Sequence, residues 1–222
     1  MNIKIIADII AIIFSYLPVF LTYFIVLFSF SYQVGQENYV MAFLSLIAII
    51  PVFFALIFFF RLFIPKMKPG VYSAGLNKGF AAWFFNLALN RAIRISQLQE
   101  LIFSSYILKF IYWRIMGAKI SFGINSSMYV DFVDLPLITI EPDCSITDKV
   151  HIAGHTFTGD KLLLGRVHIK KNSFIGMNCV IGPRSTIGEN CYIGLNNRIF
   201  RENIADGSKI DNFEWEYGKP KA

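Results

Sequence analysis

Two hydrophobic rhythms divide the chain. The first third is apolar without a period. One run extends from about Ile5 to Tyr32, broken only by Asp8, and a second from about Tyr39 to Ile64, with Pro51 inside it. About 20 helical residues cross a hydrocarbon core, so each run can span one, and proline is tolerated there as a kink. The pattern predicts a transmembrane hairpin over residues 1–68. The C-terminal half keeps a strict period. Ile169, Ile175, Ile181, Ile187, Ile193 and Ile199 are six residues apart, and Gly176, Gly182, Gly188 and Gly194 each follow one of them. With glycine averaging about 7% of residues, four such coincidences arise by chance about twice in 100,000.

Six is the period of neither a helix nor a simple strand. Six helical steps of about 100° leave each isoleucine about 240° from the last. A plain strand would not carry glycine so regularly beside its apolar residue. The pattern suits a coil with flat sides of six residues, isoleucine inward, and corners near the glycines. Successive coils then stack at about 4.8 Å, each burying its isoleucines against its neighbours. An earlier ladder, Ile140, Ile146 and Ile152, repeats the logic. Four residues after each isoleucine comes a small or polar side chain: Ser173, Cys179, Ser185, Cys191 and Asn197, with Cys144 and Val150 in the earlier ladder. All three cysteines occupy this one slot, so they are expected to pack as small hydrophobes rather than form disulfides or bind zinc.

Lys66-Met67-Lys68-Pro69-Gly70 ends the apolar third with a turn. Residues 69–117 read as two or three helices, rich in Trp83, Phe84, Phe85, Phe103, Phe110, Tyr112 and Trp113, with Lys78, Arg91, Arg94, Lys109 and Arg114 interspersed. That mixture suits helices in the headgroup zone or packed on the first coils. The domain plan is therefore a hairpin at 1–68, interfacial helices at 69–117, a β-helix at 118–212 with a loop at 153–167, and a tail at 213–222. Phe213, Trp215 and Tyr217 of the tail are candidates to cap the last coil.

Hydrophobic residues make up 55% of the chain and charged ones 16%, which fits a membrane part joined to a soluble part. The connector Gln33–Asn38 has no Lys or Arg, whereas Lys4, Arg61, Lys66 and Lys68 flank the hairpin. The positive-inside rule places both ends, and the β-helix with them, in the cytoplasm. The net charge of +6 attracts anionic lipid or an anionic co-substrate. No nucleic-acid module or dense basic run is present.

The run from Ile169 to Ile199, IKKNSFIGMNCVIGPRSTIGENCYIGLNNRI, resembles the left-handed parallel β-helix of the hexapeptide-repeat acyltransferases. That resemblance implies three hexads per triangular coil, a homotrimer, an acyl-CoA donor (acetyl-CoA expected) and no metal. The reaction expected is transfer to a hydroxyl or amine of a cell-envelope or peptide precursor at the bacterial inner membrane. KPGVYS, YWRIMGAKI and VHIAGHTFTGDKLLLGRVHI are further similar to the membrane-embedded terminal module of polylysine-type peptide synthetases. The unit is expected to stand alone, without an adenylation or carrier domain.

The two isoleucine ladders are out of phase, with 17 residues from Ile152 to Ile169 where 18 would keep step. AGHTFTGDKLLLGRVH lies between them and reads as a loop leaving the coil, where function is usually placed. The chain's three histidines, His151, His155 and His168, are all at this loop. An imidazole titrates near pH 6.5 and serves as a general base at neutral pH. By the family pattern, His155 is the expected base. Asp160 or Asp148 is expected to orient it. If the loop replaces two hexads, His151 and His168 stack on neighbouring coils. Arg166, Lys170, Lys171, Arg184, Arg198 and Arg201 are candidates to meet the phosphates of coenzyme A. Two rival readings are a non-catalytic assembly module and a three-histidine zinc site of the β-helix carbonic anhydrase type.

Overall fold

The computed structural model describes residues 3–73, 75, 77–211, 215–216 and 219–220. The chain divides into two compact units, one of residues 1–65 and 81–116, the other of residues 66–80 and 117–222.

The first unit is helical. Helix α1 (Ile3–Gly35) contains Pro18, and Thr22 Oγ1 donates to the Pro18 carbonyl at 2.8 Å, occupying an oxygen beside the proline. The second apolar run does not form one straight helix. It divides into α2 (Tyr39–Ile47) and α3 (Ile49–Leu62), bent by 46°. Pro51 accounts for the position of the break. A helical proline lacks an N–H and its ring clashes with the carbonyl four residues earlier, here that of Ile47, where α2 ends. α1 is long and apolar enough to cross a membrane, and α2 with α3 is so if the pair is one span.

The aromatic stretch forms α4 (Lys78–Ile95), α5 (Gln99–Ser104) and α6 (Tyr106–Ile115). Trp83, Tyr112 and Trp113 are buried. Phe85 packs on Phe14 of α1, Phe54 of α3 on Tyr112, and Ser15 Oγ donates to the Ala88 carbonyl. These aromatics thus serve as a core between helices, in addition to any surface they present.

The second unit is a parallel, left-handed β-helix with three faces. The first face stacks Lys119–Ile120, Ile138–Ile140, Val167–Ile169, Ser185–Ile187 and Asn203–Ile204. The second stacks Asn125–Ser126, Ser145–Ile146, Phe174–Ile175, Tyr192–Ile193 and Lys209–Ile210, and the third Asp131–Val133, His151–Ala153, Val180–Ile181 and Arg198–Ile199. Ile140, Ile169 and Ile187 align in register, as do Ile152, Ile181 and Ile199, and all six are buried.

The corners depend on a left-handed residue three places after each isoleucine: Asn172, Asn178, Arg184, Asn190 and Asn196, with φ between 54° and 62°. Asparagine tolerates this region better than most residues. The glycines serve a different need. A Cβ on Gly176 would stand 2.7 Å from the carbonyl carbon of Gly194 one coil away. The small slot hydrogen-bonds between coils: Ser173 Oγ donates to the Gly188 carbonyl at 2.7 Å, and Cys179 Sγ to the Gly194 carbonyl at 2.9 Å. All three cysteines are free and buried. The capping role expected for Phe213, Trp215 and Tyr217 lies outside the described side chains.

Candidate functional site

The corner between the third and first faces is where one coil opens. His151 aligns with Val180, an offset of 29, whereas Val180 aligns with Arg198, an offset of 18. Eleven residues are therefore added at this corner, and no hexad is replaced. They form a β-hairpin, His155–Thr158 with Lys161–Leu164, which turns at Gly159 (φ 61°). A third strand, Gly70–Ser73, pairs antiparallel with Lys161–Leu164.

His155 begins the hairpin. Its Nδ1 lies 2.5 Å from Oδ2 of Asp134, with side-chain exposures of 23% for the histidine and 0% for the aspartate. Asp134 belongs to the same corner one coil earlier. It adopts a left-handed conformation (φ 59°) just before the 3-10 turn Leu135–Leu137. The close approach needs Gly154, where a Cβ would fall 2.8 Å from the Leu137 side chain and 3.2 Å from that of Asp134. The Phe157 and His155 rings meet edge to face, with centroids 6.3 Å apart at 80°. An ionised Asp134 holds the proton on Nδ1 and leaves Nε2 as the acceptor. Oδ1 of Asp134 is buried and has no partner among the described residues.

The carboxylate that meets His155 is thus Asp134, not Asp160 or Asp148. Asp160 sits at the hairpin tip, four to five residues along a strand from His155, roughly 10 Å or more away at ~3.3 Å per residue. Asp148 lies near the second face and contacts Ser127 Oγ. Periodicity gives no sign of Asp134, because it precedes His155 by 21 residues in the chain and by one coil in space. The available signal was Asp134-Leu-Pro-Leu, a turn sequence interrupting the hexads.

Nor do His151 and His168 stack. His151 is on the third face and His168 on the first, because the insertion adds to one hexad instead of replacing two. Each has its own carboxylate: His151 Nδ1 is 3.0 Å from Asp131 Oδ2, and His168 Nε2 is 2.7 Å from Glu141 Oε1. Burial works to raise the Glu141 pKa, but the hydrogen bonds from His168 and from the Lys171 N–H outweigh it and lower the value. Three histidines on three separate carboxylates do not form a shared zinc site, and no metal-binding cluster occurs among the described residues.

The same corner carries cations on its other side. Val167 aligns with Ser185 and Thr186 with Asn203, which brings Arg166, Arg184 and Arg201 into one column, with coils about 4.8 Å apart. All three are exposed. Arg184 packs where a Cβ of Gly165 would be, 2.5 Å from its Cγ. Arg198 is exposed on the third face. Lys170 and Lys171 are paired, with Asp206 at 3.2 Å and Glu189 at 3.1 Å.

A coil of six-residue sides carrying an inserted hairpin defines a class, the hexapeptide-repeat β-helix. Residues 166–201 match the family model of the bacterial transferase hexapeptide (six repeats). No curated protein sequence matches the chain. Similar solved structures are acyltransferases. The hexapeptide-repeat acetyltransferase VCA0836 from Vibrio cholerae is 14% identical, with 54% of this chain and 84% of that one covered and a TM-score of 0.39. A maltose O-acetyltransferase from Clostridium difficile 630 is 18% identical, with coverage of 54% and 80% and a TM-score of 0.38. AntD, a Bacillus cereus N-acyltransferase in complex with dTDP-4-amino-4,6-dideoxyglucose and coenzyme A, is 21% identical, with a TM-score of 0.33. The match to AntD covers 37% of this chain and 51% of AntD, about half its length.

Proposed function

We propose that the protein is a membrane-associated acyltransferase that moves an acyl group from acyl-CoA to a hydroxyl or amine, with His155 as general base. The observation that carries this reading is the His155–Asp134 pair: an imidazole whose Nδ1 lies 2.5 Å from a fully buried carboxylate. In this reading Nε2 takes the proton as the acceptor oxygen or nitrogen attacks the thioester carbonyl. The carbon–sulfur bond then breaks, and the coenzyme A thiolate recovers the proton from the imidazolium.

The arginine column fits the phosphates of the donor. Three exposed guanidiniums on consecutive coils present planar forks at a spacing suited to a diphosphate. Arg166 and Arg184 are the nearer members to the hairpin. Lys170, already paired with Asp206, is less suited.

Membrane association is supported by the helical unit's own surface. Only 28% of the most apolar stretch of α1 is buried, and Phe20, Phe24, Phe28, Val40, Phe43 and Phe63 are exposed. So much apolar surface is a membrane or interaction signal rather than that of a soluble monomer. With Lys4, Arg61, Lys66 and Lys68 beside the helices, the cytoplasmic face of an inner membrane is the favoured location. An amphiphilic cell-envelope or peptide precursor is the matching acceptor, and a homotrimer the expected assembly.

The test is acyl-CoA binding and thiol release by the detergent-solubilised protein with membrane extract, for wild type and His155→Ala. Saturable binding, with release reduced at least about 100-fold in the variant, supports the assignment. An intact fold that binds no acyl-CoA would overturn it and leave a non-catalytic assembly module.

A further inference from the structure

The strand that completes the His155 sheet comes from the linker between the last helix of the apolar third and the first of the aromatic stretch. Gly70–Ser73 lies between α3 and α4 in sequence, yet pairs along its full length with the hairpin. The registers align Gly70, Leu164 and His155 in one cross-strand row and Tyr72, Leu162 and Phe157 in another. Side chains two apart on a strand share a face, so Tyr72 and Phe157 lie on the face of His155.

The strand is fastened to the start of α4. Asn77 Oδ1 accepts from the Phe80 N–H at 2.9 Å, capping the helix. Asn77 Nδ2 donates to the carbonyl of Ser73, the strand's last residue, at 2.6 Å. Tyr72 folds over two glycines. A Cβ on Gly70 would stand 2.9 Å from its hydroxyl oxygen, and one on Gly79, inside α4, would fall within its ring. Gly79 is the second residue of α4, and the Cβ it lacks leaves the space that the Tyr72 ring fills. The Tyr72 hydroxyl donates to the Lys68 carbonyl at 3.0 Å.

From this arrangement we infer that Tyr72, seated on Gly70 and Gly79, is a positioning residue for His155. It locks the linker strand, and through it the hairpin, in the geometry that keeps the imidazole on Asp134. The inference rests on the proposed role of His155 for its catalytic consequence, but its structural content does not. A hairpin inserted into a solenoid has no neighbouring coil to pair with, and the linker strand supplies the missing edge.

The experiment is amide hydrogen exchange of the full-length protein in detergent, paired with steady-state transfer kinetics. Tyr72→Ala and Gly79→Ala are compared with Tyr72→Phe, which keeps the ring. Both alanine variants are expected to speed exchange over residues 156–163 by about tenfold, leaving residues 169–199 unchanged. They should lower kcat by about tenfold or more without changing KM for acyl-CoA, and Tyr72→Phe should behave as wild type. Gly79→Ala adds only a methyl group at the start of α4, so faster hairpin exchange there reports the steric effect on Tyr72. Unchanged exchange in both alanine variants would overturn the inference, as would equal damage from Tyr72→Phe. If wild type transfers no acyl group, the exchange result still decides the positioning role and only the functional reading fails.

Discussion

Asp134 and His155 stand on consecutive coils at one corner of the β-helix, with Oδ2 2.5 Å from Nδ1. The carboxylate is fully buried and left-handed in its backbone. Asparagine tolerates that backbone, which makes Asp134→Asn a test of charge and tautomer rather than of folding. An amide that turns its NH2 to Nδ1 favours the tautomer with the proton on Nε2, where the base must accept, and one that turns its oxygen there lacks the charge that stabilises the imidazolium. Asp134→Asn is expected to lower kcat by about 100-fold or more, with acyl-CoA affinity kept, as read by steady-state kinetics and calorimetry.

The arginine column should govern donor affinity and leave the proton transfer alone. Arg184→Ala removes one charge-assisted contact, commonly about 1.5–3 kcal/mol. The Kd for acyl-CoA should rise by about tenfold or more, and its salt dependence should weaken. Arg198→Ala, on the third face, should have the smaller effect in the same titration.

Two carboxylates on the β-helix have depressed pKa values. Glu141 is described above. Asp206 is lowered chiefly by the Glu189 N–H and by Lys170. A depressed acid stabilises the fold above its unfolded value and loses that contribution as the pH falls through the folded one. For Glu141 the loss begins near its ordinary value of 4.5. Urea midpoints should fall on acidification below that pH, and Glu141→Gln should flatten the decline.

Burial raises the thiol pKa values of Cys144 and Cys179. Thiol reagents at pH 8 should label the native protein at least about 100-fold more slowly than the urea-unfolded chain. Since serine fills the same slot at Ser173 and Ser185, Cys179→Ser should cost less than about 1.5 kcal/mol, and Cys179→Leu about 1–3 kcal/mol by overpacking. Chemical denaturation measures both.

Phe20, Phe24 and Phe28 form an exposed stack along α1, with centroids 6.1 Å apart. If lipid covers this stripe, Phe24→Lys with Phe28→Lys should shift the protein from the carbonate-resistant membrane pellet toward the soluble or aggregated fraction, since each lysine costs about 2.5–3.5 kcal/mol in mid-membrane.

Period six alone determined the β-helix. Isoleucine can face inward on every side of the coil only at that spacing, and the left-handed asparagines at Asn172, Asn178, Asn190 and Asn196 repeat the signal locally. The slot shared by the three cysteines was legible for the same reason, because both are properties of one repeat. His155 was legible as a candidate because the phase slip between Ile152 and Ile169 exposes an insertion. Tertiary structure alone decided what surrounds it. Asp134, Arg184 and Arg201 reach the corner by coil stacking, which joins residues about 18 positions apart, or more where coils are lengthened, with no local trace. The strand Gly70–Ser73 reaches the hairpin from some 90 residues away in register. Sequence periodicity fixes which way a side chain points; which partners it meets depends on where insertions displace one coil against the next.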